Sequence, residues 1–416
     1  MEGFRMCRRL AWLLIAASGV GISSVPAWAQ SLRWLGSLGT TYAEAYGVSA
    51  DGSVVAGWVG VLNPHRAYRW TPAGGMVDLG SFGGSGGAEA YGLSADGSTV
   101  VGYSFVNSSI YRAFRWKNSE MHQIGTLGGN TSWAWATSAD GEYVVGGAEY
   151  IDGRNRAFRW SSAGGLENLG TLPGGIRSVA RAVSADGSAV AGWSGYGTGI
   201  HHAFRWAAGV MESIHNPAFG QSEALGISAD GNTVVGAWGD ASFTPARPFR
   251  WTAGTGMVDM GTLGGAWGEA WAASADGSII VGWSERAQGD WRAFIWTPTH
   301  GLRDLNVLYA HLLSPGSELE DARGISPNGR FIVGRGINAQ TGRNEAYLLD
   351  TLTCPGTGSG ACSRADWNED GVVDFNDFLA FLNDYNTASV CADLNGDGTV
   401  DFNDFLAYVN LFNAGC

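Results

Sequence analysis

The chain has 416 residues, 65 of them glycine, and a formal net charge of −13 with a single lysine, Lys117. Such a surface lacks the basic footprint that nucleic-acid binding or adhesion to an anionic membrane requires. The length leaves room for two or more domains.

Residues 1–29 read as a secretory signal peptide. Arg5, Arg8 and Arg9 precede an apolar run from Leu10 to Ile22, and Ala27-Trp28-Ala29 supplies the small-x-small pattern before Gln30. The run is short for a membrane span, and no other segment is long and apolar enough, so no membrane span is expected. The protein is expected to be secreted, extracellular or at the cell surface. Export removes Cys7 and leaves Cys354, Cys362, Cys391 and Cys416. Four cysteines allow three pairings, and an oxidising compartment favours two disulfides.

From residue 30 the chain repeats. Ser-Ala-Asp-Gly occurs six times, with Asp51, Asp96, Asp140, Asp186, Asp230 and Asp276 in third place, and Ser-Pro-Asn-Gly puts Asn328 in the seventh position. The intervals are 45, 44, 46, 44, 46 and 52 residues, the mark of one supersecondary unit copied along the chain. In the first unit, Glu44–Ser49 and Ser53–Trp58 flank Asp51-Gly52, a hairpin signal. Arg66–Trp70 and Met76–Gly80 follow on either side of a Pro-Ala-Gly-Gly turn. Four short antiparallel strands, A to D, in about 45 residues make the blade of a β-propeller.

The seventh unit has strands A, B and C but no D, while Arg33–Gly36 is a D-like strand without a unit. The fold expected over 30–350 is therefore an all-β, seven-bladed propeller, its last blade closed by the N-terminal strand. Closure removes the two sheet edges that the competing reading, an open β-solenoid, leaves exposed. The recurring Ser-Ala-Asp-Gly turns are read as structural, since six identical turns do not make one active site. The Arg-Ala-Phe-Arg-Trp words of strand C (112–116 and 156–160) are read as inter-blade packing. Ala-Phe-Arg-Trp, Asp-Leu-Gly-x-Leu-Gly-Gly and Gly-Ile-Ser-x-Asp/Asn-Gly resemble the extracellular HAF-repeat family over roughly 31–350. That resemblance implies secretion and repeat architecture, and no established reaction.

Positions that vary inside this frame are the candidates for function. The innermost strand of each blade places Glu44, Glu89, Trp133, Val179, Glu223, Glu269 and Asp321 in one ring about the axis. A second ring holds Tyr46, Tyr91, Trp135, Arg181, Leu225, Trp271 and Arg323. Glu44, Tyr46, Glu89, Tyr91, Trp133, Trp135, Glu223, Glu269 and Trp271 are the ligand-face candidates. An acidic, aromatic-lined mouth beside the variable B–C loops suits an extracellular glycan or a cation, because ring faces stack on sugars and carboxylates accept from hydroxyls. The competing reading pairs the acids with strand-C arginines such as Arg66, Arg112, Arg247 and Arg292. No His-Glu-x-x-His, Gly-x-Ser-x-Gly or P-loop is present, and no pair of acids is singled out, so no catalytic residue is assigned.

Residues 351–361 read as a flexible linker, and 362–416 as a small domain with ten acids against Arg364 alone, a net charge of −9. It carries two copies of a calcium loop. Asp366, Asn368, Asp370, Asp374 and Asp377 fill ligand positions 1, 3, 5, 9 and 12, with the Val372 carbonyl at 7. Asp393, Asn395, Asp397, Asp401 and Asp404 do the same in the second copy, with the Thr399 carbonyl at 7. Two Ca²⁺ ions are the expected cofactors. A helix follows each loop, and Phe375, Phe378, Leu379 and Leu382 define an apolar face on the first. Aspartate at position 12, the 27-residue spacing, Cys362 and the terminal Asn-Ala-Gly-Cys resemble the GC-type dockerin domain of secreted bacterial proteins. That resemblance implies calcium-dependent folding, a cohesin-like partner or surface scaffold, a Cys362–Cys416 clasp and a Cys354–Cys391 pair. The expected function is a non-catalytic binding or display module held by this tail. The alternative is an extracellular carbohydrate-active enzyme of polysaccharide catabolism on a propeller scaffold.

Overall fold

The computed structural model describes residues 30–352 and 362–416, apart from 62, 63, 84, 85, 198, 369, 370, 387, 388 and 396–398. The expected signal peptide and most of the expected linker, Cys354 included, lie outside the described residues. The chain divides into two compact units, one over Gln30–Leu352 and one that includes 353–416.

The first unit is a seven-bladed β-propeller. Six blades are four-stranded sheets built from consecutive strands, beginning with Ala43–Val48, Val55–Val59, Arg66–Thr71 and Gly75–Asp78. In the seventh, Glu318–Ile325, Phe331–Asn338 and Arg343–Asp350 are completed by the N-terminal strand Ser31–Trp34. Leu32 pairs with Leu349 and Trp34 with Tyr347, two residues earlier than the motif suggests. Blade closure thus joins the two ends of the unit and leaves neither as an unpaired edge. The longer last interval holds a helical turn at Leu305–Leu308, capped by Asp304 and fastened to strand A of blade seven by Asn306, which both donates to and accepts from Leu319.

Each Ser-Ala-Asp-Gly turn is tied in the same way. Ser49 Oγ donates to Asp51 Oδ1 at 2.6 Å, the Val54 amide donates to Ser49 Oγ at 2.9 Å, and Gly52 takes φ +72°. The turns are also tied to one another. Ala50, Ala95, Ala139, Ala185, Ala229 and Ala275 each donate an amide to the carbonyl of the next turn, at 2.8–3.0 Å, ending on Pro327. Pro327 has no amide proton to continue the series. Asn328 Nδ2 donates to the Ala50 carbonyl instead, at 3.3 Å, and joins the seventh turn to the first.

Strand C carries the core between blades. Tyr68, Phe114, Phe158, Phe204, Phe249, Phe294 and Tyr347, one per blade, are fully buried. The flanking arginine reaches the next blade's tryptophan: Arg159 lies 4.5 Å from the Trp206 ring and Arg115 5.8 Å from Trp160. Arg33 of the closing strand makes the same contact with Trp70, at 5.6 Å.

The tail unit has two helices, Phe375–Asn386 and Phe402–Ala414. Its core is aromatic: Phe381 and Tyr408 stack at 3.8 Å, with Trp367 edge-on to both. The expected apolar face of the first helix is shifted. Phe381 takes the core, while Phe375 and Leu379 are exposed. One turn of the helix must keep Asp377 facing inward, and that rotates Phe375 out. A disulfide joins Cys362 to Cys416, with Cα atoms 5.2 Å apart, and Cys391 is disulfide-bonded as well.

Candidate functional site

The strands A of neighbouring blades contact one another around the axis, so both rings of variable positions do gather there. A bulge in each strand A sets which residue of strand B each one faces. Glu44 is opposite Trp58, Glu89 opposite Tyr103, Trp133 opposite Gly147, and Val179 opposite Trp193. Glu223 is opposite Ala237, Glu269 opposite Trp283, and Asp321 opposite Arg335.

These cross-strand partners decide the chemistry of the acids. Glu44, almost fully buried, accepts from Tyr42 at 2.6 Å and Tyr46 at 2.8 Å, and lies 3.7 and 3.6 Å from the guanidinium groups of Arg323 and Arg335. Asp321 pairs with the same two arginines, each at 3.3 Å. Glu89 is held by His65 Nδ1 and Tyr103, both at 2.6 Å, and by Tyr91. Glu223 meets His201 Nδ1 at 2.5 Å. Glu269 accepts from the indoles of Trp271 and Trp283 at 3.0 and 3.1 Å. Burial, reinforced by the adjoining carboxylates, pushes the Tyr42, Tyr91 and Tyr103 phenols far up, so they remain donors. Arginine pairing therefore comes from blade seven and not from strand C. Arg66 and Arg247 pair with Asp78 and Asp259, Arg292 pairs with Asp290 and Glu318, and Arg112 donates to the Tyr111 carbonyl.

The second ring forms a belt. Tyr46 contacts Tyr91 at 4.9 Å, Tyr91 contacts Trp135 at 4.3 Å, and Arg181 lies over Trp135 at 3.8 Å and Trp271 at 5.8 Å. Arg323 closes it, 4.0 Å from Trp271 and 5.5 Å from Tyr46. Burial lowers the Arg181 pKa, opposed by the carboxylates of Glu223 and Glu269. An axial cavity of about 210 Å³ runs from this belt to Val48, Leu93 and their equivalents. A second, of about 180 Å³, continues to Ala95, Ala139 and Pro327. Both lie on the Ser-Ala-Asp-Gly side of the belt, the face opposite the one the variable loops suggested.

On the loop face the depression is off-axis. Tyr103, Phe105, Tyr111, Trp133 and Trp135 line a cup of about 300 Å³ between blades two and three. Tyr103, Phe105 and Tyr111 were not among the sequence candidates. The signal for Tyr103 lay in the residue after the strand-B glycine, the cross-strand partner of each ring acid.

In the tail, Asp366, Asp377, Asp393 and Asp404 are buried. Asp377 accepts from the amides of Asn368 and Asp374 at 2.9 and 2.8 Å, and Asp404 from those of Asn395 and Asp401, both at 2.9 Å. Both loops are thus drawn over the position-12 carboxylate in the same way. Asp366 accepts from the amides of Cys362 and Gly371 at 2.9 and 3.0 Å. Among the described residues no group of three or more His, Cys, Asp or Glu converges as a metal cluster. Asp370 and Asp397 lie outside the described residues. No described helix is long and apolar enough to cross a membrane.

No protein-family profile and no curated protein matches the chain. Solved structures do. An oligogalacturonate lyase in complex with manganese is 13% identical, covers 78% of this chain and 94% of its own, and has a TM-score of 0.51. An oligogalacturonate lyase from Vibrio parahaemolyticus is 13% identical, with coverages of 77% and 93% and a TM-score of 0.50. A putative TolB from Agrobacterium tumefaciens is 15% identical, with coverages of 66% and 93% and a TM-score of 0.43. At these identities the likeness is one of fold.

Proposed function

We propose that the propeller is a non-catalytic binding module, exported and displayed through its tail. The observation that carries this reading is the state of the axial acids. A propeller glycosidase needs two carboxylates free to act as acid and as base or nucleophile. Glu44, Glu89, Glu223, Glu269 and Asp321 are each bound to arginine, histidine, phenol or indole groups. Such acids hold the strands together rather than wait for a proton.

Two Ca²⁺ ions complete the proposal in the tail. Burying four carboxylates in a unit with one arginine is costly unless cations offset them. The loop residues from Asp366 to Asp377 and from Asp393 to Asp404 supply the hard oxygen donors that Ca²⁺ takes. The two helices expose matching side chains, Phe375 with Phe402 and Leu379 with Leu406, 27 residues apart. A duplicated apolar patch of this kind fits a protein scaffold of the cohesin type.

The test is the fate of the ligand. Neutral and acidic oligosaccharides incubated with the full chain should be recovered at full length by mass spectrometry. Shortened products would favour the carbohydrate-active enzyme.

A further inference from the structure

The cup between blades two and three follows from one missing side chain. In blades one, two, four and six, the residue after the strand-B glycine is aromatic: Trp58, Tyr103, Trp193 and Trp283. Each contacts a residue at the end of its own B–C loop. Trp58 stacks on His65 at 4.5 Å, Trp193 on His201 at 4.2 Å, and Tyr103 and Trp283 meet Tyr111 and Trp291 at 5.4 and 5.0 Å. Blade three has Gly147 in this position. A Cβ there would stand 2.6 Å from Trp133 Cζ2. The indole of Trp133 occupies the space that an aromatic residue of strand B fills elsewhere, and it comes within 6.0 Å of Tyr111 in the neighbouring blade.

The resulting cup is half-buried and its lining carries no charge. Glu89, which accepts from the lining residue Tyr103, is committed to His65, Tyr91 and Tyr103. Among the described residues, the Tyr111 hydroxyl and the Trp133 indole nitrogen make no hydrogen bond, and the Trp135 indole nitrogen is buried without a partner. Ring faces with hydrogen-bonding edges and no counter-ion suit a ligand that has apolar faces, polar edges and no charge. A uronate would be desolvated there without a cationic partner in the lining, whereas a quaternary ammonium, which aromatic faces hold by cation–π attraction, is the competing occupant that the test separates.

We propose that this cup is a binding subsite for an uncharged pyranose ring of an extracellular glycan. It rests on the reading of the ring as a binding module and adds the place and the ligand class. The pyranose stacks its C–H face on the aromatic lining and offers its oxygens to the Tyr111 hydroxyl and the Trp133 indole nitrogen.

The test titrates the full chain with cellohexaose, xylohexaose and mannohexaose, and separately with penta-galacturonate and tetramethylammonium, followed by tryptophan fluorescence and calorimetry. At least one neutral hexasaccharide should bind, and the two charged probes should not. Tyr111→Ala and Trp133→Ala should each weaken binding about tenfold or more, the effect of losing roughly 1.4 kcal/mol of contact. Gly147→Ala should do the same without altering any lining residue, by displacing Trp133, while an unchanged melting transition shows that the ring is folded. Trp291→Ala, at the exposed tryptophan of blade six, should leave affinity within twofold.

Absence of binding by every neutral probe, preference for either charged probe, or binding that depends on Trp291 and not on the cup would overturn the subsite. Binding that depends on the cup but ends in shortened oligosaccharide would keep the subsite and overturn the non-catalytic reading.

Discussion

Asn328 Nδ2 donates to the carbonyl oxygen of Ala50 at 3.3 Å, across 278 residues of sequence. The other six turns pass a backbone hydrogen bond forward, and only this one must use a side chain, because Pro327 has no amide proton. The single departure from Ser-Ala-Asp-Gly is thus explained by its place at the seam of the ring. Asn328→Asp keeps the acceptor that Ser326 uses and removes the donor that Ala50 needs. The variant should lose about 1 kcal/mol of stability, read as a lower urea midpoint at unchanged slope. Asp51→Asn, at a turn whose link is made by backbone, should leave that inter-turn bond in place.

Glu44 serves four groups from blades one and seven. Glu44→Gln keeps the size and removes the charge between Arg323 and Arg335, which then keep Asp321 between them and, for Arg335, Glu320. Breaking a buried pair from one side costs about 3 kcal/mol or more. A melting temperature within a degree or so of the parent would contradict a structural role for this acid.

Acid should weaken the propeller in two stages. Burial, then the neighbouring His202, lowers His215 from its ordinary 6.5 to about 4, and burial lowers His202 as well. The two imidazoles stack at 3.9 Å, so neither readily accepts charge beside the other. The unfolded chain binds these protons first, so stability should fall as pH drops from about 6.5 towards 4. Hydrogen bonds from Ser188 and Ser278 lower Asp186 and Asp276 from 3.8 to about 2, and their contribution should be lost progressively as pH falls from about 4 through 2. Denaturation midpoints measured from pH 7 to pH 2 should show both losses, and His215→Gln should flatten the first.

Calorimetric titration of the full chain should count two Ca²⁺ ions. Asp377→Asn and Asp404→Asn should each remove one, since each side chain holds its own loop closed through two amides. Chelation should abolish retention by the cohesin-type scaffold proposed above. A stoichiometry that stays at two in the Asp377→Asn, Asp404→Asn double variant would place the ions elsewhere.

The blade count and the split blade were legible because they depend on local signals: a turn repeated at fixed period, and one strand missing at one end and spare at the other. The axial positions were legible as positions, since strand A alternates. Their partners were not. The strand-A bulge, between Ala45 and Gly47 in the first blade, sets the register, so the residue after the strand-B glycine, Tyr103 in blade two and Gly147 in blade three, is identified as the partner of Glu89 and Trp133 only once that register is known. For the same reason Arg335, a strand-B residue, was missed as the counter-ion of Glu44 and Asp321. In the tail, periodicity alone favoured Phe375 and Leu379 for the core. The need to turn Asp377 inward decided otherwise.

The claim that the ring binds without reacting is tested most directly by calorimetric injection of a neutral hexasaccharide into the full chain. Binding gives heat pulses that shrink to saturation and return to the same baseline after each injection. Turnover gives a sustained displacement of the baseline that grows with substrate. The account predicts the first, unchanged in kind by Glu89→Gln or Glu269→Gln. A sustained heat that either substitution abolishes would contradict it.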